Sequence, residues 1–182
     1  MRTLKYAILG LLNNHPCSGY DLAKEFQLAL NEFWSANHSQ IYPELKRLTE
    51  EGLVTYQIEI SGEVLEKKVY TITPEGKADF LFWLEKDVKL GSTPKDVFRL
   101  KLFFSSSLPV KTRIRLLESQ KSQHQARLSF LQKEMSRFPK LPPADRLDFG
   151  DYLVLKGAVM REQSLLDWLE YCLTCCRSFP IT

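Results

Sequence analysis

The sequence predicts a mainly α-helical protein with one small β-hairpin, arranged as two domains. Apolar residues recur at helical spacing over most of the 182 residues, and the spacing changes to a period of 2 only within 53–73. A Gly-Ser-Thr-Pro sequence at 91–94 then interrupts the chain near its middle. We therefore expect an N-terminal domain at 1–90 and a C-terminal α-helical domain at 91–182.

The composition is that of a globular protein, with 44% hydrophobic and 26% charged residues. No apolar run approaches the roughly 18 residues of a membrane span, and the first residues lack the cleavage site of a secretory signal. These features predict a cytoplasmic protein with no membrane partner. Residues 1–90 carry a formal net charge of −3 and the remainder +6, so the first domain would need a local basic patch to bind an anionic polymer.

Three helices are predicted first. Residues 3–13 have helical periodicity and end at Asn-Asn-His-Pro. Ser18 is a suitable N-cap for a second helix over 19–34, whose apolar stripe comprises Leu22, Phe26, Ala29 or Leu30, and Phe33. A third helix begins at about 39 and ends before Gly52, with Pro43 in its first turn. Its inward face comprises Ile41, Leu45 and Leu48.

Two strands and a fourth helix follow. Residues 53–60 and 66–73 alternate in polarity around a tight turn, which predicts a β-hairpin in which Tyr70 is buried. Thr73 is a suitable cap and Pro74 a suitable first residue for a helix over 73–88. We expect this helix to direct Ala78, Leu81, Phe82, and Leu84 or Trp83 into the core.

This order of elements is that of a winged helix-turn-helix, in which a recognition helix enters the major groove of DNA and a β-hairpin reaches the flanking backbone. The outward face of the third helix carries Gln40, Tyr42, Lys46 and Arg47. Amide and guanidinium groups bind base edges, and hydroxyl and ammonium groups bind phosphates. Alternatively, these residues form only the solvated face of a core helix.

Three stretches, ILGLLNNHPCSGYDLAKEF, SQIYPELKRLTEEGLV and KKVYTITPEGKADF, together resemble the PadR family of bacterial transcriptional regulators across roughly the first 85 residues. The C-terminal half is similar to the family's dimerisation domain through KDVFRLKLFF and the final helix, with fewer motifs. The resemblance implies a homodimer that binds a pseudo-palindromic operator in double-stranded DNA. Such a protein is usually a repressor relieved by a small-molecule effector and occasionally an activator.

The resemblance also implies roles for particular residues. Tyr20 matches a tyrosine that touches the DNA backbone, although it could instead be a buried inter-helix aromatic. Lys46 is expected to contact a phosphate or guanine, whereas Arg47 could pair with Glu50 or Glu51. Only one of the two wing lysines can face DNA, because strand side chains alternate. The implied DNA-binding residues are Tyr20, Ser39, Gln40, Tyr42, Lys46, Lys67 and Lys68.

The C-terminal half has a heptad seam that ends near Phe138, with polar Lys121 and His124 at its centre. These two residues indicate either a mobile seam that an effector could adjust or a point where diverging helices expose them to solvent. The final helix has an apolar face wider than one partner helix can cover, which predicts a homodimer formed through this half.

Other classes of protein are less well supported. There is no nucleophile elbow, glycine-rich phosphate loop or HExxH motif, so we do not expect an enzyme or a cofactor. Cys172, Cys175 and Cys176 share one helical face without a matching fourth ligand, which favours packing over a metal site. Aromatic residues could line an effector pocket or belong to the core: Phe33, Trp34, Phe80, Phe82, Phe98 and Phe103. A helical dimeric interaction module without DNA binding remains the alternative.

Overall fold

The computed structural model describes residues 2–26, 38–61 and 65–178. The chain divides into two compact units, Met1–Leu90 and Gly91–Thr182. Part of the predicted second helix lies outside the described residues, including Ala29, Leu30, Phe33 and Trp34.

The first unit is built on three helices: α1 (Thr3–Asn14), α2 (Gly19–Glu25) and α3 (His38–Glu50). Side chains from all three share one core, represented by Ile8 of α1, Leu22 of α2 and Leu45 of α3. The predicted cap of α2 is confirmed, because the Ser18 hydroxyl accepts a hydrogen bond from the Asp21 amide at 3.1 Å.

The end of α3 leads directly into the sheet. Gly52 has φ +72°, the left-handed conformation that favours glycine after a helix. The Leu53 amide donates to the Leu48 carbonyl at 2.9 Å, and the Gly52 amide donates to the Thr49 carbonyl at 3.1 Å. This pair of hydrogen bonds is a Schellman motif, and it fixes the direction in which the following strand leaves the helix.

The prediction that Pro43 occupies the first turn of α3 is wrong. The helix begins at His38 and includes Pro43 as an internal residue of its second turn. Proline has no N–H, so the carbonyl of Ser39 lacks its usual partner four residues later. The helix nevertheless continues to Glu50, because Ile41, Leu45 and Leu48 anchor it in the core.

The sheet has three antiparallel strands: β1 (Cys17–Ser18), β2 (Val54–Ser61) and β3 (Leu65–Ile72), in the order β1-β3-β2. The predicted β2–β3 hairpin is confirmed, and we call it the wing. The sequence did not predict β1, which pairs Cys17 with Tyr70. Tyr70 is only partly buried, against the expectation that it would be a core residue, although it packs on the helical core.

Helix α4 (Pro74–Leu84) starts as predicted, since the Thr73 hydroxyl accepts a hydrogen bond from the Gly76 amide at 3.0 Å. The predicted core face of α4 is wrong apart from Trp83, the alternative to Leu84. Phe80 packs on the core, and the Trp83 ring stacks on Tyr6 of α1 at 4.5 Å between centroids. Gly76, Phe80 and Trp83 follow one another at i, i+4 and i+7, so other sides of the helix carry the exposed residues Ala78, Leu81, Phe82 and Leu84.

The second unit contains α5 (Val97–Phe103), a 3₁₀ turn (Ser105–Ser107), α6 (Val110–Met135) and α7 (Asp148–Arg177). Helices α6 and α7 pack against each other in antiparallel fashion. A core of Leu117, Leu169 and Leu173 lies between them, with Phe98 and Leu102 of α5 packed against it. Among the described residues, no helix is both long enough and apolar enough to cross a membrane.

The polar centre of the α6 seam differs from the prediction that diverging helices expose Lys121 and His124 to solvent, whereas the mobility of the seam stays a prediction. Lys121 forms an ion pair with Glu170 of α7. The Nδ1 atom of His124 lies 2.7 Å from Oε2 of Glu162, whose Oε1 accepts a hydrogen bond from Arg127 at 3.1 Å. The helices therefore stay together at this point, and charged side chains from α7 fill the interval where the heptad lacks apolar residues.

Candidate nucleic-acid interface

Helix α3 has one face in the core and one face exposed, as its sequence predicts. Ile41, Leu45 and Leu48 are at most 1% exposed. The opposite side carries exposed side chains that donate or accept hydrogen bonds: Ser39, Gln40, Tyr42, Lys46 and Arg47. These residue types form a surface suited to the polar edges of bases and to phosphate oxygens.

The N-terminal part of α3 packs closely on the first turn of α2. A Cβ atom at Gly19 would lie 2.7 Å from Cε1 of Tyr42, which is closer than carbon atoms approach each other in proteins. Glycine at this position therefore lets the Tyr42 ring lie over the α2 backbone. Tyr20, the next residue along the chain, is 68% exposed, so it is not a buried inter-helix aromatic.

Lys67 and Lys68 lie on opposite faces of the wing. The Nζ atom of Lys67 is 2.7 Å from Oδ2 of Asp21, in the first turn of α2. Hydrogen bonds from Lys67 and from the Ser18 hydroxyl lower the pKa of the Asp21 carboxyl, and the bond to Asp21 raises the pKa of Lys67. Glu59 is the strand partner of Lys67, so this face of the wing has little net positive charge.

Lys68 lies on the other face, which is the face that packs on the core near the base of the wing. Its Nζ atom lies 4.2 Å from the centre of the Tyr56 ring, in a cation–π contact. The Tyr56 ring is in turn 5.6 Å from that of its strand partner Tyr70. Burial raises the pKa of Tyr70. The charge of Lys68 lowers this pKa, and ionisation of Tyr56 or Tyr42 would raise it. Lys68, Tyr56 and Tyr70 thus form one cluster on this face of the wing.

The charged side chains further along α3 are paired differently from the prediction. Lys46 lies 3.9 Å from Glu50. Arg47 was expected to pair with Glu50 or Glu51, but its nearest carboxylate is that of Glu44, at 3.9 Å. Glu51 instead forms ion pairs with Arg2 and Lys5 of the N-terminal segment.

Sequence reasoning did not single out Asp21 or Tyr56, although both contact a candidate DNA-binding lysine. The contact between Tyr56 and Lys68 could have been predicted from the strand alternation. A tight hairpin pairs Tyr56 with Tyr70, and Lys68 lies two residues before Tyr70 on the same face of β3. No local pattern relates Asp21 to Lys67, which is 46 residues away.

The second unit has a groove lined by Arg99, Leu165 and Trp168, among others. The Arg99 guanidinium carbon lies 5.8 Å from the centre of the Trp168 ring, and Phe98 meets the same ring edge-on. Guanidinium and aromatic groups together bind aromatic carboxylates. Of the aromatic residues named above, Phe82 and Phe103 are exposed and Phe80 belongs to the helical core.

Sequence comparison finds two family matches in this chain. Residues 8–81 match the transcriptional regulator PadR-like family, and these include α2, α3 and the wing. Residues 94–176 match the family described as virulence activator alpha C-term, and these include α5, α6 and most of α7.

The chain is 45% identical over 175 residues to the negative transcriptional regulator PadR of Bacillus subtilis (strain 168), covering 93% of this chain and 95% of that protein. The crystal structure of Bacillus subtilis PadR in complex with operator DNA matches with a TM-score of 0.91 and 44% identity, over 96% of this chain and 99% of that one. The structure of the same protein with p-coumaric acid matches with a TM-score of 0.86 and 42% identity, over 97% and 99%.

Proposed function

The chain belongs to the PadR-like family of transcriptional regulators, and from that membership we propose that it is a dimeric, ligand-responsive repressor that binds a pseudo-palindromic operator in double-stranded DNA. The main support is its likeness to operator-bound PadR of Bacillus subtilis, which extends over 96% of the chain. The exposed hydrogen-bonding face of α3 gives this proposal a physical basis.

In this proposal, residues 1–90 bind DNA. The N-terminal part of α3 enters the major groove, where Ser39, Gln40 and Tyr42 contact base edges and phosphates. Lys46 contacts a phosphate one turn further along, and Tyr20 contacts the backbone from α2. Of the two wing lysines, Lys68 is the phosphate contact, because the ammonium group of Lys67 is already paired with Asp21.

Residues 91–182 form the dimerisation domain in this proposal. Helix α7 has several large apolar side chains that the second unit leaves exposed: Leu153, Met160 and Tyr171 are each more than half exposed. A second copy of this chain would cover such a surface, and two-fold symmetry would then match the two halves of the operator.

The proposed effector is a phenolic acid of the kind bound by PadR of Bacillus subtilis. The aromatic and guanidinium groups of Trp168 and Arg99 suit an aromatic carboxylate. An effector shifts the protein between states only if it binds them with different affinities. Release of DNA therefore requires that the DNA-free state bind the phenolic acid more tightly.

The experiment is a titration of the full chain with labelled duplexes that cover the promoter of its own gene and those of neighbouring genes. We expect one duplex to bind far more tightly than a scrambled duplex of the same length, and p-coumaric acid to weaken that binding. A promoter–reporter fusion should lose expression when the protein is present. Equal binding to all duplexes would overturn the DNA-binding proposal, and increased reporter expression would identify an activator.

A further inference from the structure

Glu44 is a buried carboxylate on a helix whose other face is exposed. Its side chain is 7% exposed. The Oε1 atom of Glu44 accepts two hydrogen bonds from Arg2, one from Nε at 3.1 Å and one from Nη2 at 2.6 Å. A buried charge persists in a folded protein only when it is paired in this way. Arg2 therefore holds the Glu44 carboxylate in one position beside α3.

The second oxygen of this carboxylate faces the exposed side of the helix. The Oε2 atom of Glu44 lies 3.9 Å from Nη1 of Arg47, three residues further along α3. The Arg47 side chain is 63% exposed. Contact at this distance with an exposed partner is a weak interaction. It favours one orientation of the guanidinium group without preventing that group from binding another acceptor.

The other carboxylates near Arg47 are paired with different cations. Glu50 pairs with Lys46, and Glu51 pairs with Arg2 and Lys5. A guanidinium group has five N–H donors in a planar fork, and Glu44 lies near only one end of it. The remaining N–H donors of Arg47 are therefore available to another acceptor. Arg47 lies two turns after Gln40 on the exposed side of α3, which is the surface that the proposed function places against DNA.

We propose that Arg47 reads a base in the operator and that Glu44, itself fixed by Arg2, is the positioning residue that aims it. This inference rests on the proposed function. The planar fork of arginine matches the O6 and N7 acceptors of guanine in the major groove, which makes G·C the expected base pair at that position. The ammonium group of Lys46, in contrast, is a point charge suited to a phosphate.

The test begins with the parent protein and a pool of random duplexes, from which repeated selection gives a preferred sequence. Affinities are then measured for every single-base variant of that duplex, with the parent, Arg47→Ala, Arg47→Lys and Glu44→Gln. The controls are Glu50→Gln, which removes an exposed carboxylate from the same helix, and Lys77→Ala, which removes an exposed cation from α4.

We expect the parent to prefer guanine at one or two positions by on the order of tenfold to a hundredfold. Arg47→Ala should lose this preference while preferences at the other positions remain, and Arg47→Lys should restore little of it. Glu44→Gln should weaken the preference at the same positions. Glu50→Gln and Lys77→Ala should leave the pattern of preferences unchanged, even if they alter the strength of binding to all duplexes.

The possible failures can be distinguished. If the parent selects no sequence, the proposed function is wrong. If the parent selects a sequence and Arg47→Ala keeps the full pattern of preferences, only the role of Arg47 is wrong. If Arg47→Ala loses a preference that Glu44→Gln keeps, Glu44 does not position the guanidinium. Should Glu44→Gln fail to fold, Arg2→Lys removes the two-donor contact while keeping a cation beside Glu44, and the same pattern of loss is expected from it.

Discussion

The ammonium group of Lys67 and the carboxylate of Asp21 lie 2.7 Å apart, and they join the middle of β3 to the first turn of α2. The two residues are 46 positions apart in the sequence. Both side chains are about 40% exposed, so solvent screening leaves the pair only a small contribution to stability. Its main consequence is geometric, because it restrains the wing relative to the helices.

The first prediction concerns this pair. Lys67→Met and Asp21→Asn should weaken DNA binding by similar factors, because each removes the same restraint on the wing. The double variant should be no weaker than either single variant, as expected for two residues that act through one contact. Fluorescence anisotropy with a selected duplex measures all four affinities. Additive losses would show that Lys67 contacts DNA independently of Asp21.

The second prediction concerns the two proposed phosphate contacts, Lys46 and Lys68. Each alanine variant should reduce the slope of log affinity against log salt by about 0.9, the value for one lost phosphate contact. Tyr56→Leu should weaken binding by removing the aromatic ring beneath Lys68, while Tyr56→Phe should retain it. Binding is measured between about 50 and 200 mM salt. An unchanged slope for Lys68→Ala would remove the wing from the proposed interface.

The third prediction concerns the hydrogen bond between His124 of α6 and Glu162 of α7. His124→Leu should lower the free energy of unfolding by about 1–3 kcal/mol, because it leaves the largely buried Glu162 without one of its hydrogen-bond partners. Adding Glu162→Gln should recover part of the loss. Lys121→Leu serves as the control, since its pair with Glu170 is far more exposed and should contribute little to stability. Urea denaturation measures these differences, and a more stable His124→Leu variant would contradict the prediction.

The fourth prediction concerns pH. Burial raises the pKa of the Cys17 thiol from 9.0 to about 11. Between these values the unfolded chain loses the thiol proton and the folded chain keeps it, so the free energy of unfolding falls as pH rises. The destabilisation caused by Cys17→Ala should therefore be larger at pH 7.5 than at pH 10. Cys175→Ala is the matched control for a less buried thiol. An equal effect of Cys17→Ala at both pH values would contradict the prediction.

The elements with strong periodicity could be predicted from the sequence, and those that depend on distant partners could not. The apolar stripe of Ile41, Leu45 and Leu48 was sufficient to assign both faces of α3. Strand β1 has only two residues, Cys17 and Ser18, and such a short segment has no period to detect. It forms because β3 offers it hydrogen-bonding partners.

Helix α4 shows a different limit. Its run of apolar residues is nearly continuous, so hydropathy alone does not select a face. The choice depends on Tyr6, whose ring stacks on Trp83, and on the close approach of Gly76 to the Leu53 carbonyl. In the candidate interface, sequence reasoning identified residue types on α3 and the wing. The pairing of Asp21 with Lys67 and that of Glu44 with Arg2 depend on tertiary contacts that no local spacing encodes.

The opposite placement of Lys67 and Lys68 has a consequence for how this chain can change during evolution. Neighbouring residues of a strand lie on opposite faces, so an insertion of one residue in β3 between Lys68 and Val69, which pairs with Ser18 of β1, would exchange the faces of the two lysines. Lys68 would then take the place of Lys67 near α2, and Lys67 would move to the face of the wing that carries Tyr56. Lengthening or shortening of this strand by two residues would preserve the pattern. Among relatives that keep both contacts, we therefore expect length differences in this segment to come in even numbers.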